Sequence, residues 1–338
     1  MERIKKLLKW IVPLILGVLL FAWIYRRMDW ISIKEIFQLG LRYEWMLAFM
    51  LIFIGGMVAR GLRWQQLLEP VCPETETKTT TLAVFVAYAA NLIFPRIGEV
   101  ARCGLLKQYK QVSFTKALGT VLAERIIDLI CLLIMVIVIV VFQLDVFRQF
   151  FTEYPDKANS LMKILFSWQL WAVLFALVLV IILLWRRLRK LPLFDKFNKG
   201  LEKLWLGMKS IKTLKRPWLF IFWSIFIWLS YFATFYIGQY FFNIPFGLGI
   251  IAMFTAHIMG SLGMVAPVQG GLGAWHFMVI YTMVLYGISE TAAGAFALTV
   301  HGFNTILTLF FGLIAYLWLL LENKKSRAKK SEEAVKSN

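Results

Sequence analysis

Residues 217–243 read PWLFIFWSIFIWLSYFATFYIGQYFFN, and no Lys, Arg, Asp or Glu occurs between residue 217 and Glu290. A second uncharged stretch follows at 291–321. About 20 consecutive apolar residues are enough for a helix to cross a bilayer. Of the 338 residues, 60% are hydrophobic and only 17% are charged, which leaves too little polar surface for a soluble chain. The sequence therefore predicts an all-α polytopic integral membrane protein and excludes disordered, collagen-like and disulfide-scaffold classes.

Nine apolar segments are candidate spans. They lie at 11–25, 45–59, 80–94, 114–143, 168–185, 217–243, 247–266, 274–288 and 292–321. Segment 186–216 holds eleven Lys/Arg and the tail from 322 holds six, so both are expected on the cytoplasmic side together with the N-terminus. Nine full crossings would place the two termini on opposite sides. At least one segment is therefore expected not to cross.

Two segments are predicted to be re-entrant helical hairpins. The first, 80–109, breaks at Pro95 and Gly98, and the second, 247–288, breaks at Pro267 and the glycines that follow it. Each hairpin is preceded by two helices and followed by one long helix, which indicates two inverted repeats. The fold prediction is six full transmembrane helices plus two re-entrant hairpins, with both termini cytoplasmic. The alternative is eight transmembrane helices, in which the second hairpin forms two short full crossings.

The predicted organisation is a single transmembrane domain, 1–322. Repeat 1 covers about 1–143 and repeat 2 about 168–321, and a basic amphipathic cytoplasmic loop, 186–216, joins them. Residues 323–338 are expected to form a disordered, basic cytoplasmic tail. On this topology 29 of the 37 Lys/Arg residues lie on the cytoplasmic side. The formal net charge of +18 thus follows from membrane orientation and requires no nucleic-acid partner.

Six charged residues lie among apolar neighbours in the first half: Arg96, Glu99, Arg102, Glu124, Arg125 and Asp128. A charge at the centre of a spanning helix costs about 2.5–3.5 kcal/mol on insertion scales, so each one requires a partner or a function. The arginine guanidinium groups suit phosphate oxygens. The carboxylates would balance charge, bind an amino headgroup or carry protons. The alternative is a closed salt-bridge network of Arg96, Glu99, Arg125 and Asp128 that holds two helices together.

Other polar residues and glycines have more local predicted roles. The glycines of the second tip would let backbone approach a lipid headgroup closely. Asn91 is expected to cap broken backbone or to bond across helices, and Ser113 to cap the helix after the first hairpin. Arg60, Arg63 and Trp64, which follow the second span, are interpreted as an interfacial anchor. The three histidines have no acidic neighbours at metal-ligand spacing, so no metal and no other cofactor is predicted.

The string PRIGEVAR at 95–102, Glu124-Arg125 with Asp128, and Pro267 with GGLG at 270–273 resemble the lysylphosphatidylglycerol synthase transmembrane family over roughly residues 5–322. That family includes the flippase half of multiple peptide resistance factor proteins. The resemblance implies a multi-pass protein of the plasma (inner) membrane that moves a lipid between leaflets. The lipid would be an anionic or aminoacylated phospholipid or a lipid-linked carrier. Family members often carry an acidic residue where this chain has His276.

Twelve residues are the predicted substrate-binding set, and no catalytic residue is assigned. They are Arg96, Gly98, Glu99, Arg102, Glu124, Arg125, Asp128, Pro267, Gly270, Gly271, Gly273 and His276. Besides membrane lipids, the expected partners are a second copy of the chain or a separate lipid-modifying enzyme.

Lipid translocation is the leading functional hypothesis. Full-length lysyl-lipid synthases carry a soluble aminoacyl-transferase domain after the membrane part, and residues 323–338 are too few to form one, so the favoured function is non-enzymatic. One alternative is a membrane-embedded enzyme acting on a lipid phosphate or glycosyl carrier, with Glu99, Glu124 or Asp128 as general base. Another is a non-transporting scaffold whose basic loop recruits a soluble partner.

Overall fold

A computed structural model describes most of the chain outside the segment between the two predicted repeats. The described residues are 2–94, 96–110, 112–143, 209–243, 246–266 and 268–336, with single residues at 168, 172, 175, 176, 179, 202 and 205, and their side chains are described from residue 12 to residue 323. Pro95, Pro267, most of the predicted span 168–185 and most of the basic loop 186–216 lie outside these residues.

The described part of the chain is helical, with no named strand. Its ten α-helices are α1 (Glu2–Tyr25), α2 (Trp30–Gln38), α3 (Tyr43–Leu68), α4 (Thr77–Ile93), α5 (Ile97–Lys110), α6 (Phe114–Phe142), α7 (Pro217–Ile237), α8 (Ile250–Gly263), α9 (Ala274–Leu285) and α10 (Glu290–Lys336). Within the described ranges, four stretches are long and apolar enough to cross a membrane, namely Tyr43–Leu68, Phe114–Phe142, Pro217–Phe241 and Glu290–Asn323. The predicted all-helical membrane class is confirmed at this level.

Helices α4 and α5 pair antiparallel around the first predicted tip. Near the tip, the backbone N–H of Gly98 donates to the side-chain oxygen of Asn91 at 2.7 Å. At the other end, Lys110 Nζ lies 2.8 Å from Glu76 Oε1. Asn91 thus satisfies one of the donors that a helix start leaves without a partner, which confirms its predicted capping role.

Helices α8 and α9 form a second antiparallel pair. The Tyr286 hydroxyl donates to Thr255 Oγ1 at 3.3 Å, at the end of the pair away from the tip. The two helices have 14 and 12 residues. At a rise of about 1.5 Å per residue they are roughly 21 and 18 Å long. A hydrocarbon core about 30 Å thick is too wide for either helix to cross alone.

The glycines of the second tip adopt backbone conformations that other residues rarely use. Gly270, Gly271 and Gly273 have φ angles of +55°, +76° and +79°. A Cβ on Gly273 would stand 2.8 Å from the carbonyl oxygen of Gly17 in α1, and one on Gly270 would stand 2.7 Å from Leu92 Cδ2 near the end of α4. The second tip therefore lies between α1 and the tip end of the first hairpin, and it fits there because glycine, which has no side chain, stands at each of these two contacts.

The antiparallel pair of α3 and α7 joins the two predicted repeats. At one end the N–H of Arg42 donates to the carbonyl oxygen of Phe241 at 2.8 Å. Helix α6 packs on α3, where Trp64 Nε1 donates to Thr120 Oγ1 at 3.0 Å. This packing brings polar residues of α3, α6 and α7 to one level of the protein interior.

Two local predictions differ from the structure. Helix α10 runs to Lys336, through the tail from residue 323 that the sequence predicts to be disordered. Residues 323–336 contain no Gly or Pro and are rich in Lys, Glu and Ala, which favour helix. Ser113 occupies the position before α6, but its side chain makes no capping hydrogen bond.

Candidate functional site

A buried ionic network joins α3, α5 and α6, and the carboxylate of Glu124 lies at its centre. Glu124 Oε1 is 3.2 Å from both Arg60 Nη1 and Arg63 Nη2. Arg102 Nη1 lies 2.7 Å from Glu124 Oε2, and Arg125 Nη2 lies 3.5 Å from Oε1. A single carboxylate thus contacts four guanidinium groups.

Asp128 supplies the second carboxylate of the network. Its oxygens lie 2.5 Å from Arg60 Nη2, 2.6 Å from Arg63 Nη2 and 3.6 Å from Arg125 Nη2. Residues three or four apart share a helix face. Glu124 and Asp128 therefore present both carboxylates from one side of α6, and Arg60 and Arg63 meet them from one side of α3.

The network is almost entirely removed from solvent. The side chains of Arg63 and Glu124 are fully buried, and those of Arg60 and Arg102 are 3% and 2% exposed. Arg125 differs, because 38% of its side chain is exposed. Desolvating charges costs several kcal/mol per ion, and only close pairing compensates for that cost. Removing one partner should therefore cost far more than breaking a surface ion pair.

Aromatic and hydroxyl side chains surround the guanidinium groups. Arg60 Nε donates to the Tyr231 hydroxyl at 2.6 Å, and that hydroxyl lies 2.9 Å from the Tyr88 hydroxyl. The guanidinium carbon of Arg102 lies 4.5 Å above the Trp64 ring, a cation–π contact. Because Tyr231 belongs to α7, the network reaches across the junction between the two predicted repeats.

Several buried donors of the network have no acceptor among the described residues. They are Arg63 Nε, Arg102 Nη2 and Arg125 Nε. An unpaired buried donor costs about 1–3 kcal/mol, so such groups usually have a protein, water or ligand partner. Guanidinium donors of this kind are suited to a carboxylate or a phosphate.

The structure brings four of the predicted charged residues together, namely Arg102, Glu124, Arg125 and Asp128. Arg96 and Glu99 make no ion pair with any described residue within 4.0 Å. The network therefore differs from the predicted alternative, in which Arg96 and Glu99 were members. Arg96 lies at the exposed tip of the first hairpin and has a φ angle of +60°.

Arg60 and Arg63 are network residues that the sequence interpretation missed. Their predicted role as an interfacial anchor is wrong, because they are 2% and 0% exposed. They lie eight and five residues before the end of α3 at Leu68, roughly 12 and 8 Å along the helix. The available signal was their spacing of three within an apolar helix, together with two intramembrane carboxylates that needed basic partners.

A second cluster lies beside the glycine tip. His301 Nε2 lies 2.9 Å from the Gly270 carbonyl oxygen, and because a carbonyl only accepts, this nitrogen carries the hydrogen. The buried His276 ring lies 4.6 Å from that of His301 and makes edge contacts with Phe21 and Tyr25 of α1. The first half thus presents a charged cluster and the second half an aromatic and histidine cluster.

No group of three or more His, Cys, Asp or Glu side chains within the described ranges could hold a metal ion.

Tyr231→Phe is expected to lower the free energy of unfolding by about 1–3 kcal/mol, because it leaves buried Arg60 Nε without an acceptor. The measurement is the thermal unfolding midpoint of the purified protein in detergent. Tyr240→Phe is the matched control, since the Tyr240 hydroxyl makes a long hydrogen bond of 3.4 Å to the Tyr236 hydroxyl. Equal midpoints for the two variants would contradict a structural role for the Arg60–Tyr231 bond.

Fold and site together define a membrane protein with many helices, two antiparallel helix pairs whose tips meet, and an arginine-rich ionic network in the first half that is hydrogen-bonded to α7 of the second half. The chain belongs to the lysylphosphatidylglycerol synthase transmembrane family, because the model of the "Lysylphosphatidylglycerol synthase TM region" matches residues 10–312. This confirms the resemblance seen in the sequence.

One curated relative is the "UPF0104 membrane protein MJ1078" of Methanocaldococcus jannaschii. It is 25% identical over 235 residues, which cover 67% of this chain and 92% of the relative. No solved structure matches the chain.

Proposed function

We propose that the protein is a flippase-like transporter that moves a phosphate-bearing lipid headgroup between the leaflets of the plasma (inner) membrane. The substrate would be an anionic or aminoacylated phospholipid or a lipid-linked carrier. The observation that carries the proposal is the buried network, in which four arginines face two carboxylates and three donors lack acceptors among the described residues. Membership of a family named for a lipid synthase supports a role with membrane lipids.

The proposed topology has six crossings, two re-entrant hairpins and both termini in the cytoplasm. The crossings are α1, α3, α6, the segment 168–185, α7 and α10. The hairpins are α4–α5 and α8–α9, and the short lengths of α8 and α9 support their return to one side. Hairpin tips that meet inside the membrane are a recurrent design of transporter binding sites.

In this proposal the phosphate binds the donors of Arg63, Arg102 and Arg125, while the acyl chains stay in the bilayer. Arg125, the partly exposed member, would contact an incoming headgroup first. The bonds from Arg60 to Tyr231 and from Arg63 to Ser224 connect the two repeats. Movement of one repeat against the other would therefore rearrange the site that holds the phosphate.

Arg125→Gln is expected to slow lipid translocation by about tenfold or more, the effect of losing roughly 1.4 kcal/mol of headgroup binding. The assay is leaflet-resolved bleaching of a labelled phospholipid in proteoliposomes that contain the full chain. Arg42→Gln is the matched control, because Arg42 lies at the exposed start of α3 and its ion pair is with the exposed Glu44. Translocation no faster than in protein-free liposomes, for every anionic and aminoacylated lipid tested, would refute the proposed function.

A further inference from the structure

The ionic network has an excess of positive charge. Arg60, Arg63, Arg102 and Arg125 contribute four positive charges, and Glu124 and Asp128 contribute two negative ones, which leaves a net charge of +2. Arginine does not lose its proton in proteins. Arg96 is exposed at the first hairpin tip, and Glu99, whose Oε2 is buried without a hydrogen-bond partner among the described residues, makes no ion pair with the network within 4.0 Å there, so neither residue is counted in this balance.

The excess lies where water does little to screen it. Among the four arginines, only Arg125 has more than 3% of its side chain exposed. A buried charge without a counter-charge is unfavourable, so a low-dielectric site of this kind favours an anion that restores neutrality. An anion with two negative charges would do so completely.

The buried arginine donors that lack acceptors among the described residues indicate the same kind of ligand as the positive excess of the network. Arg63 Nε, Arg102 Nη2 and Arg125 Nε are three buried N–H groups for which no described residue provides an acceptor. A phosphomonoester carries up to two negative charges near neutral pH and offers three terminal oxygens as acceptors. A phosphodiester has a single charge and one terminal oxygen fewer.

We propose that the headgroup bound by this network is a doubly charged lipid phosphomonoester rather than a phosphodiester. The proposal rests on the proposed function and narrows its substrate. It also separates this chain from the lipid in its family name, because a lysylated phosphodiester carries two ammonium groups against one phosphate charge. The positive excess of the network would repel such a cationic headgroup.

The test compares short-chain lipids that share the same acyl groups. Binding of dioctanoyl phosphatidic acid, a phosphomonoester, and dioctanoyl phosphatidylglycerol, a phosphodiester, is measured calorimetrically on the full chain in detergent. At about pH 8 the phosphomonoester is expected to bind roughly tenfold more tightly. At about pH 5.5, below the second phosphate pKa of about 6, the preference should largely disappear. The phosphodiester does not titrate in this range and therefore reports any pH effect on the protein itself.

Two variants connect the preference to the network. Arg125→Gln lowers the excess from +2 to +1 and should reduce the preference for the phosphomonoester, and the partial exposure of Arg125 makes this variant compatible with folding. Arg102→Gln should weaken the binding of both lipids. The thermal unfolding midpoint of each variant is measured beside its affinity. A variant that binds less tightly at an unchanged midpoint has lost binding rather than folding, and where the midpoint changes the affinity is corrected for the unfolded fraction.

The possible negative results distinguish failure of the phosphomonoester proposal from failure of the proposed function. Equal affinity for the two lipids at about pH 8, with both weakened by Arg102→Gln, would overturn the phosphomonoester proposal and leave the anionic-lipid site standing. Binding of neither lipid would overturn the proposed function as well. Inorganic phosphate, tested alone, is expected to bind more weakly than phosphatidic acid. If inorganic phosphate binds as tightly as phosphatidic acid, the ligand of the network is free phosphate and not a lipid.

Discussion

Glu124→Gln is expected to destabilise the folded protein by about 3–5 kcal/mol, the range found when one partner of a buried ion pair is removed. Glu124 is fully buried and contacts all four arginines of the network. Glutamine has nearly the same shape, so packing is preserved, while the negative charge is lost and one acceptor oxygen is replaced by an NH2 donor. The substitution would raise the positive excess of the network from +2 to +3 in a place that water does not reach.

The measurement is the thermal unfolding midpoint in detergent, with Glu322→Gln as the matched control. Glu322 pairs with Lys78 at 2.5 Å, but both side chains are 44% exposed. Exposed pairs contribute about 0–1 kcal/mol. A midpoint for Glu124→Gln no lower than that of the control would show that the network does not stabilise the fold.

A double variant gives an independent check on the charge argument. Arg102→Gln removes one guanidinium from the same contact, at 2.7 Å from Glu124. Combined with Glu124→Gln it returns the excess to +2. The double variant is therefore expected to be less destabilised than the sum of the two single variants, as coupled neighbours are.

Gly98→Ala is expected to destabilise the first hairpin by about 1–3 kcal/mol or more, because α4 and α5 touch at this residue. A Cβ there would overlap the Ala87 carbonyl oxygen and stand 2.7 Å from the Ala87 carbonyl carbon. It would also stand 2.8 Å from the Asn91 oxygen that accepts the Gly98 N–H. The obstacle is backbone, which cannot rotate away, so the two helices must separate.

Gly104→Ala is the matched control on the same helix, since a Cβ at Gly104 meets nothing within 4 Å. Alanine favours helix over glycine by about 0.8–1.0 kcal/mol, so this variant should be as stable as the original chain or slightly more stable. Thermal unfolding midpoints measure both changes. If the two variants unfold at the same temperature, the close contact between α4 and α5 does not stabilise the hairpin.

Much of the helical framework could be predicted because its signals are local. Long uncharged runs such as those now seen in α7 and α10 must avoid water whatever surrounds them. Asn91 lies seven residues before Gly98, so its role as a cap at the break was readable from neighbouring sequence. The predicted re-entry of both hairpins into the membrane, and the orientation of the termini, stay predictions.

The site could be predicted only in part, because its partners are distant in sequence. Glu124 and Asp128 were identified as costly charges, but Arg60 pairs with them across separations of 64 and 68 residues. Arg60 was instead interpreted from its place near the end of an apolar run. Tyr231, which accepts a hydrogen bond from Arg60 across a separation of 171 residues, carried no local signal at all.

The sequence by itself determined the helical membrane class, the two interruptions at Pro and Gly, and the presence of intramembrane charges that need partners. These features follow from the free-energy cost of placing polar groups in hydrocarbon, and that cost applies to each segment independently of the others. Only the tertiary structure decided which charges meet, since pairing depends on how α3, α5, α6 and α7 pack. That packing leaves Arg96 at an exposed tip and places Arg60 and Arg63 against Glu124 and Asp128 in the protein interior.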